Sequence, residues 1–340
     1  MNKNDGKNMK TIKILMLIAL FSPFLVFAND SSAELAAGGL IFVKNPVIQM
    51  QSEELYLSPK KVQVRYRFFN KSDKPVKVMI AFPLPDIESY RYDKRFSILP
   101  VDDPANPVGF ITRVNGQAIN MSIHQQAIAK NKDQTDFLLK NKIPLSPYYS
   151  KTKDALQKFP EAKWPKLEAL GLIWTEEYDA GQGMKKEAQP AWTLKTTYTW
   201  EQVFPPRKTL VIEHEYQPVV GLSVGTSIGL PYALHEKWYL DFIKKYCVSD
   251  ALQKKLATRI KEGIPYYGEK RLSYILKTGA NWAGPIGDFT LTIDKDNKNN
   301  LVSFCGKNVK KISDTQFQIK ETNFLPRHNL HLLFLIPQSH

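Results

Sequence analysis

The chain has 340 residues, of which 47 are Lys or Arg and 33 Asp or Glu, for a formal net charge of +14. That is long enough for one large domain or two ordinary ones, each with a proper core. The positive excess draws anionic partners such as phospholipid headgroups, lipopolysaccharide, acidic glycans or nucleic acid, but it is scattered in pairs such as Lys60-Lys61, Lys185-Lys186, Lys244-Lys245 and Lys254-Lys255. With no long run to concentrate it, solvated lysine pairs account for it better than a dedicated polyanion site.

Residues 1–28 have the build of an export signal. Lys3, Lys7, Lys10 and Lys13 form a basic start, and Ile14 to Phe27 is apolar except for Ser22 and Pro23. Val26 and Ala28 then occupy the two positions a signal peptidase reads, so cleavage is expected after Ala28, with Asn29 as the first mature residue. A membrane anchor would need about 20 apolar residues, and lipidation would need a cysteine at the cut. The first cysteine is Cys247. Removing the presequence, which carries net +3, leaves a mature chain of net +11. It is expected in the periplasm or secreted, soluble or peripheral to the membrane.

Residues 29–123 read as sheet. Val62-Gln63-Val64-Arg65-Tyr66-Arg67-Phe68 alternates strictly, which puts Val62, Val64, Tyr66 and Phe68 on one buried face. After the turn-rich Asn70 to Pro75, Val76, Val78, Ile80 and Phe82 resume the pattern, and the two runs are expected to form an antiparallel hairpin. A second hairpin is marked by Asn115-Gly116 between Phe110–Val114 and Gln117–Ile123, because a type I′ turn needs two residues at positive φ.

From His124 to Gly171 the apolar spacing becomes helical, with Ala127, Ile128, Phe137, Leu138, Leu139, Ala155, Leu156, Leu167 and Leu170 punctuated by prolines. Residues 124–191 are therefore expected to be a helical insertion, with Tyr178 to Pro190 an exposed loop. Residues 192–340 return to sheet at Trp192–Val203 and Thr209–Tyr216, joined across Pro205-Pro206. A helix is expected at His235–Glu262. Short strands follow at Phe289–Ile293, Leu301–Phe304, Phe317–Ile319 and Leu330–Ile336. The expected class is mainly β (α+β), with antiparallel, sandwich-like sheets and a helical insertion.

In an oxidising compartment an even cysteine count reads as one disulfide, here Cys247 to Cys305 across about 58 residues, worth about 3 to 4 kcal/mol in the loop-entropy account. His328 and His331 have an H-x-x-H spacing, but the paired spacing of a structural zinc site is missing. No cofactor motif is present, so neither metal nor cofactor is expected.

Gly225-Thr226-Ser227-Ile228-Gly229 matches the G-x-S-x-G elbow of serve-as-nucleophile serines, yet Leu230-Pro231 follows where the elbow requires a helix. His214 shares a strand face with Leu210, Ile212 and Tyr216, the setting of a core histidine more than of a general base. Glu53-Glu54 and Glu176-Glu177 are adjacent carboxylates, which point to opposite faces of a strand. Tyr148, Tyr149, Trp174, Trp192, Trp200 and Trp282 are the aromatics able to build a sugar-stacking platform, although aromatics in strands are commonly core.

Seven segments resemble the bacterial domain-of-unknown-function family 4424: NDSSAELAAGGLIF at Asn29–Phe42, SEELYLSPKKVQVRYRFFNKSDKPV at Ser52–Val76, AFPLPDI at Ala81–Ile87, TYTWEQVFPP at Thr197–Pro206, EHEYQPVVG at Glu213–Gly221, TGANWAGPIGDFTL at Thr278–Leu291 and SFCG at Ser303–Gly306. The resemblance implies an exported bacterial protein with no established activity, and it supports a mature start at Asn29. Export, basic charge, aromatic-rich strands and the lack of a credible catalytic constellation together give the leading reading, a noncatalytic binding or envelope-associated protein. Its expected partner is an anionic envelope component or a glycan, peripheral membrane contact is compatible with it, and export argues against nucleic acid. The alternative is a hydrolase using Ser227 or His214.

Overall fold

The computed structural model describes residues 31–36, 39–89, 96–98, 100–262 and 267–338; the export segment and its cleavage site lie outside them. Among the described residues strands dominate, arranged as sheets of eight, seven and five strands and one two-stranded hairpin. The eight-stranded sheet runs Lys310–Lys311, Gln316–Phe324, Ile286–Asp294, Ile48–Leu57, Val62–Asn70, Thr209–Tyr216, Ile111–Val114 and Gln117–Ala118. Its pairings are antiparallel except where Ile286–Asp294 lies parallel to Ile48–Leu57. The alternating run behaves as read: Val62, Val64, Tyr66 and Phe68 are at most 2% exposed.

The seven-stranded sheet is built on Ser122–Ala129, Thr193–Phe204 and Val76–Pro83, and the five-stranded sheet on Leu301–Phe304, Leu330–Pro337, Tyr267–Tyr274, Val220–Ser223 and Phe96–Ile98. All three sheets contribute to one hydrophobic cluster. Phe110 stacks on Tyr198 at 4.3 Å, Phe82 lies 4.8 Å from Phe110, and the Tyr66 and Tyr274 hydroxyls are 3.3 Å apart. Buried side chains of this size each stabilise the fold by about 2–3 kcal/mol.

Leu332, Leu333, Phe334 and Leu335 are all fully buried, because their strand is covered on both sides. Leu332 and Phe334 face the sandwich core, while Leu333 and Leu335 join Ile228, Tyr246 and Leu256 beneath two helices, Lys237–Tyr246 and Asp250–Lys261.

Four expectations change. Val62–Asn70 and Val76–Pro83 do not form a hairpin, because they belong to different sheets. The intervening turn is a corner held by Asn70, which is fully buried. Its Nδ2 donates to the Lys74 and Phe204 carbonyls at 2.9 and 3.0 Å, and its Oδ1 accepts from the Ser72 amide and hydroxyl at 2.9 and 2.8 Å. Pro205–Lys208 makes the reverse crossing beside it, with Arg207 donating to Asp73 at 2.8 Å. The Asn115-Gly116 hairpin does form, with φ of 49° and 82°, but its second strand ends at Ala118.

Ser122–Ala129 is a strand paired with Thr193–Phe204, so the insertion's helices begin later, at Thr135–Lys140, Ser150–Gln157 and Trp164–Leu170. Tyr178 to Pro190 is no loop. Ile173–Asp179 and Met184–Pro190 pair as a hairpin turning at Gly181 and Gly183. Lastly, His235–Glu262 holds two helices, divided at Cys247, whose φ is 50°. The Val248 amide reaches back to the Ile243 carbonyl at 3.0 Å while Val248 packs inward, which is the Schellman ending with a cysteine in the left-handed position. Cys247 is joined there by a disulfide to Cys305, just beyond the Leu301–Phe304 strand. Ser303 Oγ ties the same cap by donating to the Tyr246 carbonyl at 3.0 Å.

Candidate functional site

The helical insertion packs on its hairpin through Leu138, Leu156, Trp164, Leu167, Ile173, Ala188 and Trp192. Since alternate residues of a strand face opposite ways, burying Ile173 and Ala188 turns Trp174 and Gln189 to the other face. Pairing in register sets Trp174 opposite Gln189 and Glu176 opposite Glu187. Beside that face the chain from Ser146 into helix Ser150–Gln157 presents Tyr148 and Tyr149. This segment is fixed by Thr152 Oγ1 donating to the Ser146 carbonyl at 2.7 Å and by Tyr148 donating to the Glu88 carbonyl at 2.9 Å.

The result is a groove of about 990 Å³ whose lining includes Tyr148, Tyr149, Trp174, Glu176, Gln189 and Lys153. Its polar groups are set by a hydrogen-bond network. Gln189 Nε2 donates to Glu176 at 2.9 Å and to Glu187 at 3.3 Å; Glu187 also accepts from Tyr178 at 2.7 Å and from Lys153 at 2.6 Å. The Lys153 ammonium, then the Tyr178 hydroxyl, hold the Glu187 carboxyl below the usual carboxylate range, and Glu187 in turn raises Tyr178. Glu177 pairs with Lys186 at 3.1 Å. Half-buried rings next to a fixed carboxylate and amide suit a ligand with both apolar faces and hydroxyl or amide groups.

A second concavity, of about 640 Å³, lies on the outer face of the eight-stranded sheet. There Lys320, Thr290, Glu54, Arg65, Glu213 and Arg113 stand in one cross-strand row. Arg65 lies 3.7 Å from Glu54 and 3.2 Å from Glu213, and Glu215 takes Lys61 at 3.2 Å. The Arg65 and Lys61 pairs with these carboxylates stabilise strand pairing, and this face lacks the groove's trio of Tyr and Trp rings.

The other candidates separate cleanly. His214 is 2% exposed, with Nδ1 2.8 Å from Thr112 Oγ1 and the Tyr66, Phe82, Phe110 and Trp200 rings around it, the environment of a core histidine. Ser227 lies in the turn after Val220–Ser223, and a single 3-10 turn at Pro231–Ala233 follows it in place of the elbow's helix. Gly229 has φ of 86°, and a Cβ there would meet the Ala257 amide nitrogen at 2.7 Å. The motif's second glycine thus serves packing against helix Asp250–Lys261.

Glu53 is fully buried and Glu54 exposed, while Glu176 is half-buried and Glu177 exposed at successive positions of the hairpin, both at the groove. His331 Nδ1 is 2.9 Å from Ser273 Oγ; burial, with Lys245 nearby, depresses its pKa to about 4. His328 is exposed.

Of the six platform aromatics, Trp192, Trp200 and Trp282 are core residues, whereas Tyr148, Tyr149 and Trp174 meet in the groove. Lys153, Glu187 and Gln189 were not singled out by sequence. The alternation Trp174, Glu176, Tyr178 ahead of Gly181-Gln182-Gly183 is the signal that would have revealed the hairpin and its polar face.

A family model described as "Domain of unknown function (DUF4424)" matches residues 28–333. No curated protein matches the chain. Among solved structures, a "putative nutrient binding protein" from Legionella pneumophila is similar at 14% identity and a TM-score of 0.40, with 91% of this chain and 70% of that one covered. An M1 zinc metallopeptidase from Deinococcus radiodurans is similar at 10% identity and a TM-score of 0.26, with 86% of this chain and 43% of the peptidase covered. At TM-scores below 0.5 neither likeness bears on function.

Proposed function

This chain belongs to the DUF4424 family, and from that premise we propose that it is an exported, noncatalytic binding protein whose ligand lies in the Tyr148–Tyr149–Trp174 groove. The observation that carries the reading is the coincidence, on one pre-formed surface, of half-buried aromatic rings with a hydrogen-bonded carboxylate and amide. A rigid support of this kind lowers the ordering cost of binding. The scattered positive charge acts separately, by holding the protein near anionic envelope components. The residues offered for catalysis lend the alternative little support, since His214 serves the core and Ser227 lacks the elbow's geometry.

Three experiments test this. Fractionation with N-terminal sequencing is expected to find the protein outside the cytoplasm and starting at Asn29; a cytoplasmic, uncleaved chain contradicts export. An envelope extract passed over the immobilised mature protein should leave a component that a Trp174→Ala column does not retain. Equal retention by both removes the groove from the account. Fluorophosphonate labelling lost in Ser227→Ala would overturn the noncatalytic reading.

A further inference from the structure

We infer that the groove takes a neutral oligosaccharide of several rings, in spite of the chain's net positive charge. The inference rests on the groove being the ligand site. Size is the first argument: about 990 Å³ stands at the upper end of the roughly 300–1,000 Å³ typical of ligand sites, more than one sugar ring or one small amine fills. Rings are the second. Tyr148, Tyr149 and Trp174 are half-buried, so each offers an apolar surface for the C–H face of a pyranose at little cost in side-chain freedom.

The third argument is the sign of the local charge. Lys153 is taken up by Glu187 at 2.6 Å, and Lys186 by Glu177 at 3.1 Å. Among the described residues Glu176 receives only the amide of Gln189, at 2.9 Å. Among those residues the groove therefore keeps one lining carboxylate without a cationic partner, which disfavours a uronate beside it, while the Lys151 ammonium stands 6.0 Å from the Tyr149 ring. Both Gln189 amide hydrogens are spent on carboxylates, which leaves its Oε1 and the second Glu176 oxygen as acceptors for donors from the ligand. Sugar hydroxyls supply those donors without adding charge. A polyamine would need several uncompensated carboxylates along the groove.

The test is calorimetric titration of the mature protein at low salt with cellotetraose, maltotetraose, fully N-acetylated chitotetraose, tetragalacturonate and spermidine. At least one neutral tetramer is expected to bind, more tightly than tetragalacturonate by about tenfold, with affinity falling about tenfold or more in Trp174→Ala. Glu176→Gln should narrow the preference against the uronate. Gln189→Ala gives a second lesion, and thermal melts hold every variant to a folded chain. If tetragalacturonate or spermidine binds more tightly than every neutral tetramer, or no neutral tetramer binds, the inference is overturned. When that failure accompanies Trp174-dependent retention of another envelope component, the groove stands and only the ligand class falls. Neutral binding indifferent to both Trp174→Ala and Gln189→Ala removes the groove itself.

Discussion

Replacing Asn70 by alanine is expected to unfold the corner that carries the chain from one sheet to another. Asn70 is fully buried and makes four hydrogen bonds, two accepted from Ser72 and two donated to the carbonyls of Lys74 and Phe204. Each such bond contributes a net of about 0.5–1.5 kcal/mol, and partners left without one inside the protein add to the loss. A cost of about 3 kcal/mol follows for Asn70→Ala. Asn70→Asp should fare no better, since it keeps the acceptor but sets a charge against two carbonyls. Asp73→Ala, which breaks the fully exposed pair with Arg207 across the same corner, should leave stability nearly unchanged. Urea unfolding followed by tryptophan fluorescence gives all three values. If Asn70→Ala costs less than about 1 kcal/mol, or Asp73→Ala costs as much as Asn70→Ala, the corner is not held as described.

Reducing the Cys247–Cys305 disulfide, or Cys305→Ser with Cys247→Ser, is expected to cost about 3–4 kcal/mol for its separation of 58 residues; two free thiols in protein recovered from its native compartment would contradict the pairing. His331 stays neutral in the fold down to about pH 4 against 6.5 as its ordinary value. A base depressed by folding stabilises fully above its unfolded pKa, so that stability is lost as pH falls from 6.5 toward 4, by roughly 1–2 kcal/mol once partial exposure is allowed for. His331→Gln should flatten that decline, and an unchanged slope would refute the assignment. Gly229→Ala combines a left-handed backbone with a 2.7 Å approach to the Ala257 amide, and should cost about 2 kcal/mol or more in the same unfolding assay.

What the sequence made legible follows from local physics. Alternation in Val62–Phe68 named the inner face correctly because a strand's period is intrinsic, and Asn115-Gly116 named its turn because positive φ is a property of two residues. Pairing partners were not legible. Turn chemistry at Asn70–Pro75 says that the chain bends, whereas the contact between Asn70 and Phe204 that sends it to another sheet spans 134 positions. Cys247 hid a helix end for a similar reason: the left-handed cap is normally a glycine, and here a cysteine fixed by a disulfide fills it. The groove was half visible. Its three rings stood among six candidates, but choosing them required the hairpin at 173–190, whose charged composition masked its alternation.

The six tryptophans allow the groove itself to be watched. Trp164, Trp192, Trp200 and Trp282 lie in the core, Trp238 is exposed on helix Lys237–Tyr246, and Trp174 lines the groove. In a nitrogen-15 spectrum of the mature protein, with the Trp174 indole signal assigned through Trp174→Phe, titration with the bound neutral tetramer should move the Trp174 signal and leave those of Trp238 and the core tryptophans in place. A calorimetrically detected ligand that shifts Trp238, or leaves Trp174 where it was, would contradict the groove as the site of binding.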